Sequence, residues 1–383
     1  MKRATRLIHH KGCYDETTGA VSVPIYQVST FMQDGVGQNR GYDYSRSDNP
    51  TRDVLEDYIA ELAAGEFGYA FSSGMAAISA CIMYLRAGDS LVATRGLYGG
   101  TYRVLQRVFQ DYSITCHYVD TGDAENVREA LREGASAVLI ETPSNPTMRI
   151  TDIAEISRIA HEHDATVMVD NTFMSPWLQR PLECGADVVI HSGTKWLGGH
   201  SDVIGGLVVT SDKKIGSRVR TIQNGMGAVL PPFDSWVLMR GMKTLSVRLE
   251  KAQESARRIA DWLSGRPEVT EVLYPGIGAL GGDDVHERQS DGPGGILSFR
   301  VSDDVSAQKL VESVTVWTLA VSLGAVESII TLPAKMTHLP YPRDERERAG
   351  IDDNLVRLSV GIEDAGDLIE DLEQAFQSAA RGT

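Results

Sequence analysis

Hydrophobic and polar positions follow two different periods along most of the chain. Short apolar runs at 90–94, 137–141 and 166–170 have the length of buried strands, because a strand covered on both faces is apolar throughout. Between such runs lie stretches with apolar residues at helical spacing, for example 124–134 and 152–164. Strands that alternate with helices of this length predict an α/β protein with a mostly parallel sheet.

The pattern divides the chain into three predicted parts. Residues 1–50 contain Gly, Pro, Ser, Gln and Asn with little helical period, which predicts an extended N-terminal arm. Residues 51–240 carry the alternation and form the predicted large domain. A long amphipathic helix, short strands and two further helices then predict a smaller α+β domain over 241–383. Within it, the Gly- and Asp-rich stretch 275–295 is predicted to be a surface excursion.

Composition and charge narrow the class of protein. The 383 residues are enough for two buried cores, and 42% hydrophobic with 23% charged residues is typical of a globular protein. The net charge of −15 repels nucleic-acid phosphates and anionic lipids, so neither nucleic acid nor membrane is an expected partner. The start of the chain lacks the apolar stretch of a signal peptide. We therefore expect a cytoplasmic protein.

The cysteines give no sign of a metal site or of disulfides. Cys13, Cys81, Cys116 and Cys184 lie far apart, with no CxxC pair. This spacing excludes the usual structural zinc pattern and offers no disulfide framework. We predict reduced thiols and no bound metal.

The segment HSGTKWLGGHSD, directly after an apolar run, contains the densest group of reactive side chains. Lys195 is predicted to lie on the turn that leaves a strand, where partial burial lowers the pKa of its amine. A neutral amine can condense with an aldehyde, and the hydroxyls of Ser192 and Thr194 can bind an anion beside it. Taken alone, the motif is more typical of a solvated lysine in a glycine-rich loop, since most lysines are solvated.

Two further segments change the interpretation of this lysine. Asp170 ends an apolar strand, where an unpaired carboxylate is costly and a cation such as a pyridinium nitrogen would stabilise it. Gly74 and Met75 follow another strand and open a helix, whose free N–H groups can bind a phosphate. Each segment alone has an ordinary structural explanation, either a turn-capping Asp or a close-packed Gly. Together, a lysine, an acid and a phosphate site describe pyridoxal 5'-phosphate (PLP).

The order of motifs resembles the PLP-dependent enzymes of cysteine and methionine metabolism, which act on cystathionine and related thioethers. The matching motifs, in chain order, are YSRSDNPTR, SSGMAAI, YGGT, ETPSNP, VDNTF, HSGTKWLGGHSD, SLGAVES and RLSVGIED. The signature GxxxxGK[ST] of nucleotide-binding proteins is absent from the sequence. The resemblance implies the fold-type-I, aspartate-aminotransferase-like fold of PLP-dependent transferases and a homotetramer of two active dimers.

The resemblance also implies roles for individual residues. Lys195 would hold PLP and move substrate protons, Asp170 would pair with the pyridine nitrogen, and Tyr98 would stack on the ring and assist proton transfer at the leaving group. The rest of the implied cofactor site comprises Gly74, Met75, Asn145, Thr172, Ser192 and Thr194. The implied substrate site comprises Asn145, Ser322 and Arg357, with Arg357 gripping the carboxylate. Tyr44 and Arg46 would reach the phosphate of a neighbouring subunit.

The same residues can perform several reactions, namely β-elimination, γ-elimination and γ-replacement. Val321 stands where many cystathionine γ-lyases and γ-synthases have an acid, but where similar bacterial lyases have valine. Gly100 replaces the usual cysteine of methionine γ-lyases, and Leu339 lies in THLP, where the family usually has THAS.

We therefore expect a PLP-dependent carbon–sulfur lyase that cleaves L-cystathionine in transsulfuration, with the β or γ side left open. Three alternatives remain: a cystathionine γ-synthase acting on an O-acyl-homoserine, a methionine γ-lyase, and a catalytically idle homologue that serves as a binding protein.

Overall fold

The computed structural model describes residues 1–277 and 281–380. The larger of its two β-sheets contains β1 (Phe67–Phe71), β2 (Ser90–Thr94), β3 (Thr115–Val119), β4 (Ala137–Glu141), β5 (Thr166–Asp170), β6 (Val188–Ser192) and β7 (Gly206–Thr210). The strand order is β1-β7-β6-β5-β4-β2-β3. Only β7 runs against its neighbours, β1 and β6, and the other paired strands are parallel. The predicted α/β fold with a mostly parallel sheet is confirmed.

Helices cover both faces of this sheet. The helices of this part of the chain are α1 (Arg3–Arg6), α2 (Pro50–Leu62), α3 (Gly74–Ile82), α4 (Gly99–Arg107), α5 (Ala124–Arg132), α6 (Ile153–His161), α7 (Ser175–Leu178), α8 (Lys213–Met226) and α9 (Pro232–Met242). Leu139 of β4 packs in a core with α3, α4 and α8, whereas its neighbours Val138 and Ile140 pack with α5 and α6. Alternate side chains of one strand thus enter opposite cores, which explains why residues 137–140 of this strand are all apolar.

The second sheet lies in the C-terminal part of the chain. Its strands are β8 (Val269–Leu273), β9 (Ile296–Val301), β10 (Thr318–Leu319), β11 (Ile329–Thr331) and β12 (Leu355–Ser359), in the order β10-β11-β12-β9-β8. Its helices are α10 (Leu245–Ser264), α11 (Asp283–Gln289), α12 (Ala307–Glu312), α13 (Arg343–Arg348) and α14 (Ala365–Ala379). Ile259 of α10 and Phe376 of α14 pack with Phe299 of β9 in a separate core.

The structure differs from the sequence-based expectation in two places within this part. The excursion expected over 275–295 contains helix α11, whose His286 is buried and bonds to the carbonyl of Gly292; residues 278–280 of the excursion lie outside the described residues. Four helices, not two, follow α10 in the described residues. Helices α11 and α13 contain few apolar positions, and α12 spans only six residues, so their helical periods are weak.

Residues 1–49 contain the short helix α1 but otherwise little regular structure. Among the described residues, no helix combines the length and the apolar character that crossing a membrane requires. The predicted boundaries at residues 50 and 240 stay predictions.

Candidate active site

A cavity of about 400 Å³ opens at the carboxyl ends of the parallel strands. Ligands of open α/β sheets bind at this edge, because the loops that leave neighbouring strands converge there. Strands β4, β5 and β6 end at Glu141, Asp170 and Ser192, and all three residues line the cavity. The C-terminal part of the chain closes the cavity through Ser322 and Arg357.

Lys195 lies on the turn after β6 and reaches into this cavity. Its Nζ donates a hydrogen bond of 2.7 Å to Oγ of Ser322. Burial, with a smaller contribution from the nearby charge of Arg357, lowers the pKa of the lysine to about 8. Ser322 has a φ of 101°, a conformation that costs a non-glycine residue energy and is often found at functional sites. The amine is therefore oriented, and a useful fraction of it is neutral near neutral pH.

The start of α3 forms one wall of the cavity. Its first N–H groups have no acceptor within the helix, and Ser73 caps the helix by accepting the N–H of Ala76 at 3.1 Å. A Cβ atom on Gly74 would lie only 2.9 Å from Cβ of Ser192. Glycine therefore allows the helix start to approach the hydroxyls of Ser192 and Thr194, which line the same cavity. Helix N–H groups beside two hydroxyls suit a phosphate.

Asp170 faces the same cavity from the end of β5. Its Oδ1 accepts two hydrogen bonds from Thr172, one from the N–H at 3.1 Å and one from the hydroxyl at 2.5 Å. The Thr172 hydroxyl in turn accepts the N–H of Ser192 at 2.8 Å. Burial raises the pKa of Asp170, against these hydrogen bonds, and no ion pair to it forms within residues 1–277 and 281–380. A cationic ring nitrogen at this position would stabilise the carboxylate.

Arg357 crosses from β12 to the opposite wall and is only 1% exposed. It donates to Oδ1 of Asn145 at 2.8 Å and to the carbonyl of Ser322 at 2.7 Å. Its Nε is buried and has no hydrogen-bond acceptor in the part of the chain that the structure describes. Although burial lowers the pKa of Arg357 to about 10, the guanidinium stays charged at neutral pH. The N–H group at Nε is a donor suited to a carboxylate.

The structure brings eleven of the thirteen predicted site residues into this one cavity. They are Gly74, Met75, Tyr98, Asn145, Asp170, Thr172, Ser192, Thr194, Lys195, Ser322 and Arg357. Tyr44 and Arg46 instead line a separate hollow beside Pro231, with the guanidinium 5.8 Å from the tyrosine ring. One chain therefore does not bring them to the lysine.

Sequence reasoning missed two charged residues of the cavity, Arg103 and Glu141. Arg103 is exposed and forms no ion pair among the described residues, which leaves its charge available at the cavity mouth. Glu141 is the first residue of the ETPSNP motif and could have been recognised as an acid at a strand end. Nothing in the sequence signals Arg103, because it follows its motif YGGT in an otherwise ordinary helical pattern.

Comparison with known proteins identifies the family. Residues 4–377 match the model of the Cys/Met metabolism PLP-dependent enzymes. The chain belongs to this family. It is 49% identical to cystathionine gamma-lyase of Bacillus subtilis over 378 residues, which cover 99% of this chain and 100% of the relative. A cystathionine beta-lyase of Lactococcus lactis is 46% identical over 97% of this chain and 98% of its own.

Solved structures of the family have the same fold. Cystathionine gamma-lyase from Lactobacillus plantarum, complexed with L-serine, matches with a TM-score of 0.97 and 45% identity over 99% of both chains. Cystathionine gamma synthase from Xanthomonas oryzae pv. oryzae matches with a TM-score of 0.96 and 40% identity, covering 99% of this chain and 98% of the other. The fold is therefore that of the PLP-dependent enzymes of this family.

PLP is the cofactor of this family, and the cavity has the chemistry to hold it. The start of α3 with Ser192 and Thr194 would bind the phosphate, and Asp170 would face the pyridine nitrogen. Lys195 would supply the amine that the aldehyde of PLP requires. The residues of this cavity thus have the chemistry that the cofactor of this family requires.

Proposed function

We propose that the chain is a carbon–sulfur lyase that cleaves L-cystathionine. The observation that carries the proposal is the connection between Lys195 and Arg357 through Ser322. The amine donates to the Ser322 hydroxyl, and the guanidinium donates to the Ser322 carbonyl, both at 2.7 Å. An amino acid whose carboxylate binds Arg357 would therefore have its Cα close to the Lys195 amine, which is the geometry that α-proton removal requires.

PLP, when bound, withdraws electrons from Cα of the amino acid and so makes the α-proton acidic. The amine of Lys195, with its pKa lowered to about 8, would take that proton. The carboxylate of Asp170 would keep the pyridine nitrogen charged. Asn145 would hold Arg357 in place through its side-chain oxygen, 2.8 Å from the guanidinium.

Tyr98 would complete the reaction at the sulfur. Its ring lies against Gly100, where an added Cβ would be only 2.5 Å from Cε1 of the ring, and its side chain is 40% exposed at the cavity. The hydroxyl would donate a proton to the departing sulfur. Loss of sulfur from Cβ requires one proton removal at Cα, and loss from Cγ requires a second at Cβ. The same residues serve both, so the products decide the side of cleavage.

Gly100 supports a lyase of cystathionine over a methionine γ-lyase, and the relatives include both lyases and synthases. Cystathionine gamma-lyase of Bacillus subtilis is 49% identical, and cystathionine gamma-synthase of Haemophilus influenzae is 46% identical over 94% of both chains. Against a methionine γ-lyase stands the contact between Gly100 and the ring of Tyr98, because a cysteine side chain there would require the ring to shift.

Product analysis with purified holoprotein tests the proposal. L-cystathionine should yield either 2-oxobutyrate with cysteine, the γ products, or pyruvate with homocysteine, the β products. The variant Lys195→Ala is the control and should release neither keto acid. The protein could instead form cystathionine from an acylated homoserine and cysteine without cleaving cystathionine. That result would establish a synthase and refute the lyase. Faster cleavage of L-methionine than of cystathionine would refute it as well.

We further propose that the active form is a homotetramer built from two active dimers, in which Tyr44 and Arg46 reach the phosphate of a neighbouring subunit. The support is that both residues belong to the polar arm and lie outside the cavity of Lys195 in their own chain. Arg46 donates to the carbonyl of Asn224 at 2.9 Å and forms no ion pair among the described residues, so its other donors can bind an anion.

A further inference from the structure

Glu141 is a buried acid of the cavity for which the reaction itself has no use. It ends β4, in register with Asp170 on β5, and is 6% exposed. Burial and the neighbouring Asp170 raise the pKa of Glu141 well above its usual range, against the effects of hydrogen bonds from Tyr98 and Asn145 and of the Arg357 charge. Two buried acids side by side are costly, so Glu141 requires a specific explanation.

The carboxyl group of Glu141 connects two loops of the site. One oxygen, Oε2, accepts the backbone N–H of Tyr98 at 2.9 Å. The other, Oε1, accepts the backbone N–H of Asn145 at 3.1 Å. The backbone N–H of Glu141 donates to the hydroxyl of Thr94 at 3.2 Å. One side chain thus fixes the segment before α4 and the segment after β4 relative to each other.

Further hydrogen bonds connect Asn145 to the reactive groups of the site. The side chain of Asn145 accepts a hydrogen bond from Arg357, which donates to the carbonyl of Ser322. The hydroxyl of Ser322 accepts from Lys195. A shift of Asn145 would therefore displace Arg357, and a shift of Tyr98 would displace its ring on Gly100.

We propose that Glu141 is a positioning residue, which sets the places of Tyr98 and Asn145 by accepting one backbone N–H from each. The proposal rests on the proposed function, because it assigns Tyr98 and Asn145 the roles given there. An acid is required since both of its oxygens accept hydrogen bonds. Glutamine would present an NH₂ group to one of the two N–H donors, and two facing donors repel.

The variant Glu141→Gln tests the proposal by the equilibrium binding of L-alanine to the holoprotein. L-alanine has a carboxylate for Arg357 but no leaving group, and its binding can be followed by the visible absorption of the cofactor. We expect its Kd to rise about tenfold or more, because misplacement of a contact group by about an ångström has effects of this size. Because no carbon–sulfur bond is broken, the result is independent of whether cystathionine is the substrate.

Asp371→Asn is the matched control. Asp371 is also a buried acid that accepts backbone N–H groups, from Thr315, Val316 and Trp317 at 2.7 to 3.0 Å, but it lies outside the cavity. The variant Asp371→Asn should lower the Tm, as Glu141→Gln does. It should leave the Kd for L-alanine within about twofold of the parent value, since distant sites act independently. Equal weakening of L-alanine binding in both variants would overturn the proposal, because the effect would then be one of stability.

Glu141→Asp keeps both acceptor oxygens on a shorter side chain and guards against a variant that does not fold. It should recover part of the affinity for L-alanine that Glu141→Gln loses, and should bind it more weakly than the parent protein. The proposal would be overturned if folded Glu141→Gln bound L-alanine with the parent Kd. If Glu141→Gln does not fold, the same result for folded Glu141→Asp would overturn it.

Discussion

Arg357→Lys is the substitution that most directly tests how the site binds an amino acid. Arg357 bridges Asn145 and the carbonyl of Ser322 with two different nitrogens, and its third nitrogen is the one without an acceptor among the described residues. Lysine has a single nitrogen at its end and cannot serve three partners in a plane. Each lost hydrogen bond from a charged donor costs about 1.5–3 kcal/mol, which corresponds to about a ten- to a hundredfold loss in kcat/KM for L-cystathionine.

Steady-state cleavage of L-cystathionine, followed by keto acid release, measures this loss. Arg266→Lys is the control, because Arg266 pairs with Glu268 and Glu373 in the C-terminal part of the chain and lies outside the cavity. We expect the loss to appear mainly in KM, since in the proposed role Arg357 would bind the carboxylate in the ground state as well as in the transition state. A kcat/KM of Arg357→Lys equal to that of Arg266→Lys would refute the assigned role.

Three further predictions follow from the contacts of the site. Gly100→Cys should lower kcat by about ten- to a hundredfold, because its side chain would displace the ring of Tyr98; full activity toward cystathionine, or new activity toward methionine, would contradict this. Arg46→Ala should retain the cofactor less tightly, and mixing its subunits with Lys195→Ala subunits should restore some activity. Absence of any recovery would argue against an arm that crosses to a neighbour. Finally, because burial lowers the pKa of Lys195 to about 8, its neutral fraction rises about tenfold from about pH 7 to about pH 9. The rate of cofactor uptake by the cofactor-free protein should rise accordingly, and a flat pH profile would contradict the lowered pKa.

The class of fold and most of the cavity could be predicted from the sequence for a physical reason. Apolar runs alternate with helical patterns, and this alternation indicates a parallel sheet. Polar residues that directly follow such runs must then meet at one edge of the sheet. Asp170 ends β5 and Ser192 ends β6, so their presence in one cavity follows from their places in the sequence.

Contacts between distant parts of the chain could not be predicted in this way. Arg357 and Asn145 are 212 residues apart, and no local pattern indicates that they touch. The antiparallel direction of β7 is hidden as well, because a strand buried on both faces is apolar in either direction. The carboxyl group of Glu141 accepts hydrogen bonds from backbone N–H groups, which carry no sequence signature at all.

The central claim is that Lys195 carries the cofactor in the cavity it shares with Asp170 and Arg357. Reduction of the holoprotein with borohydride, followed by proteolysis and peptide mass spectrometry, tests this claim most directly. The account predicts that the mass of the reduced cofactor is found on the peptide that contains Lys195. Attachment to any other lysine, or no covalent attachment at all, would contradict it.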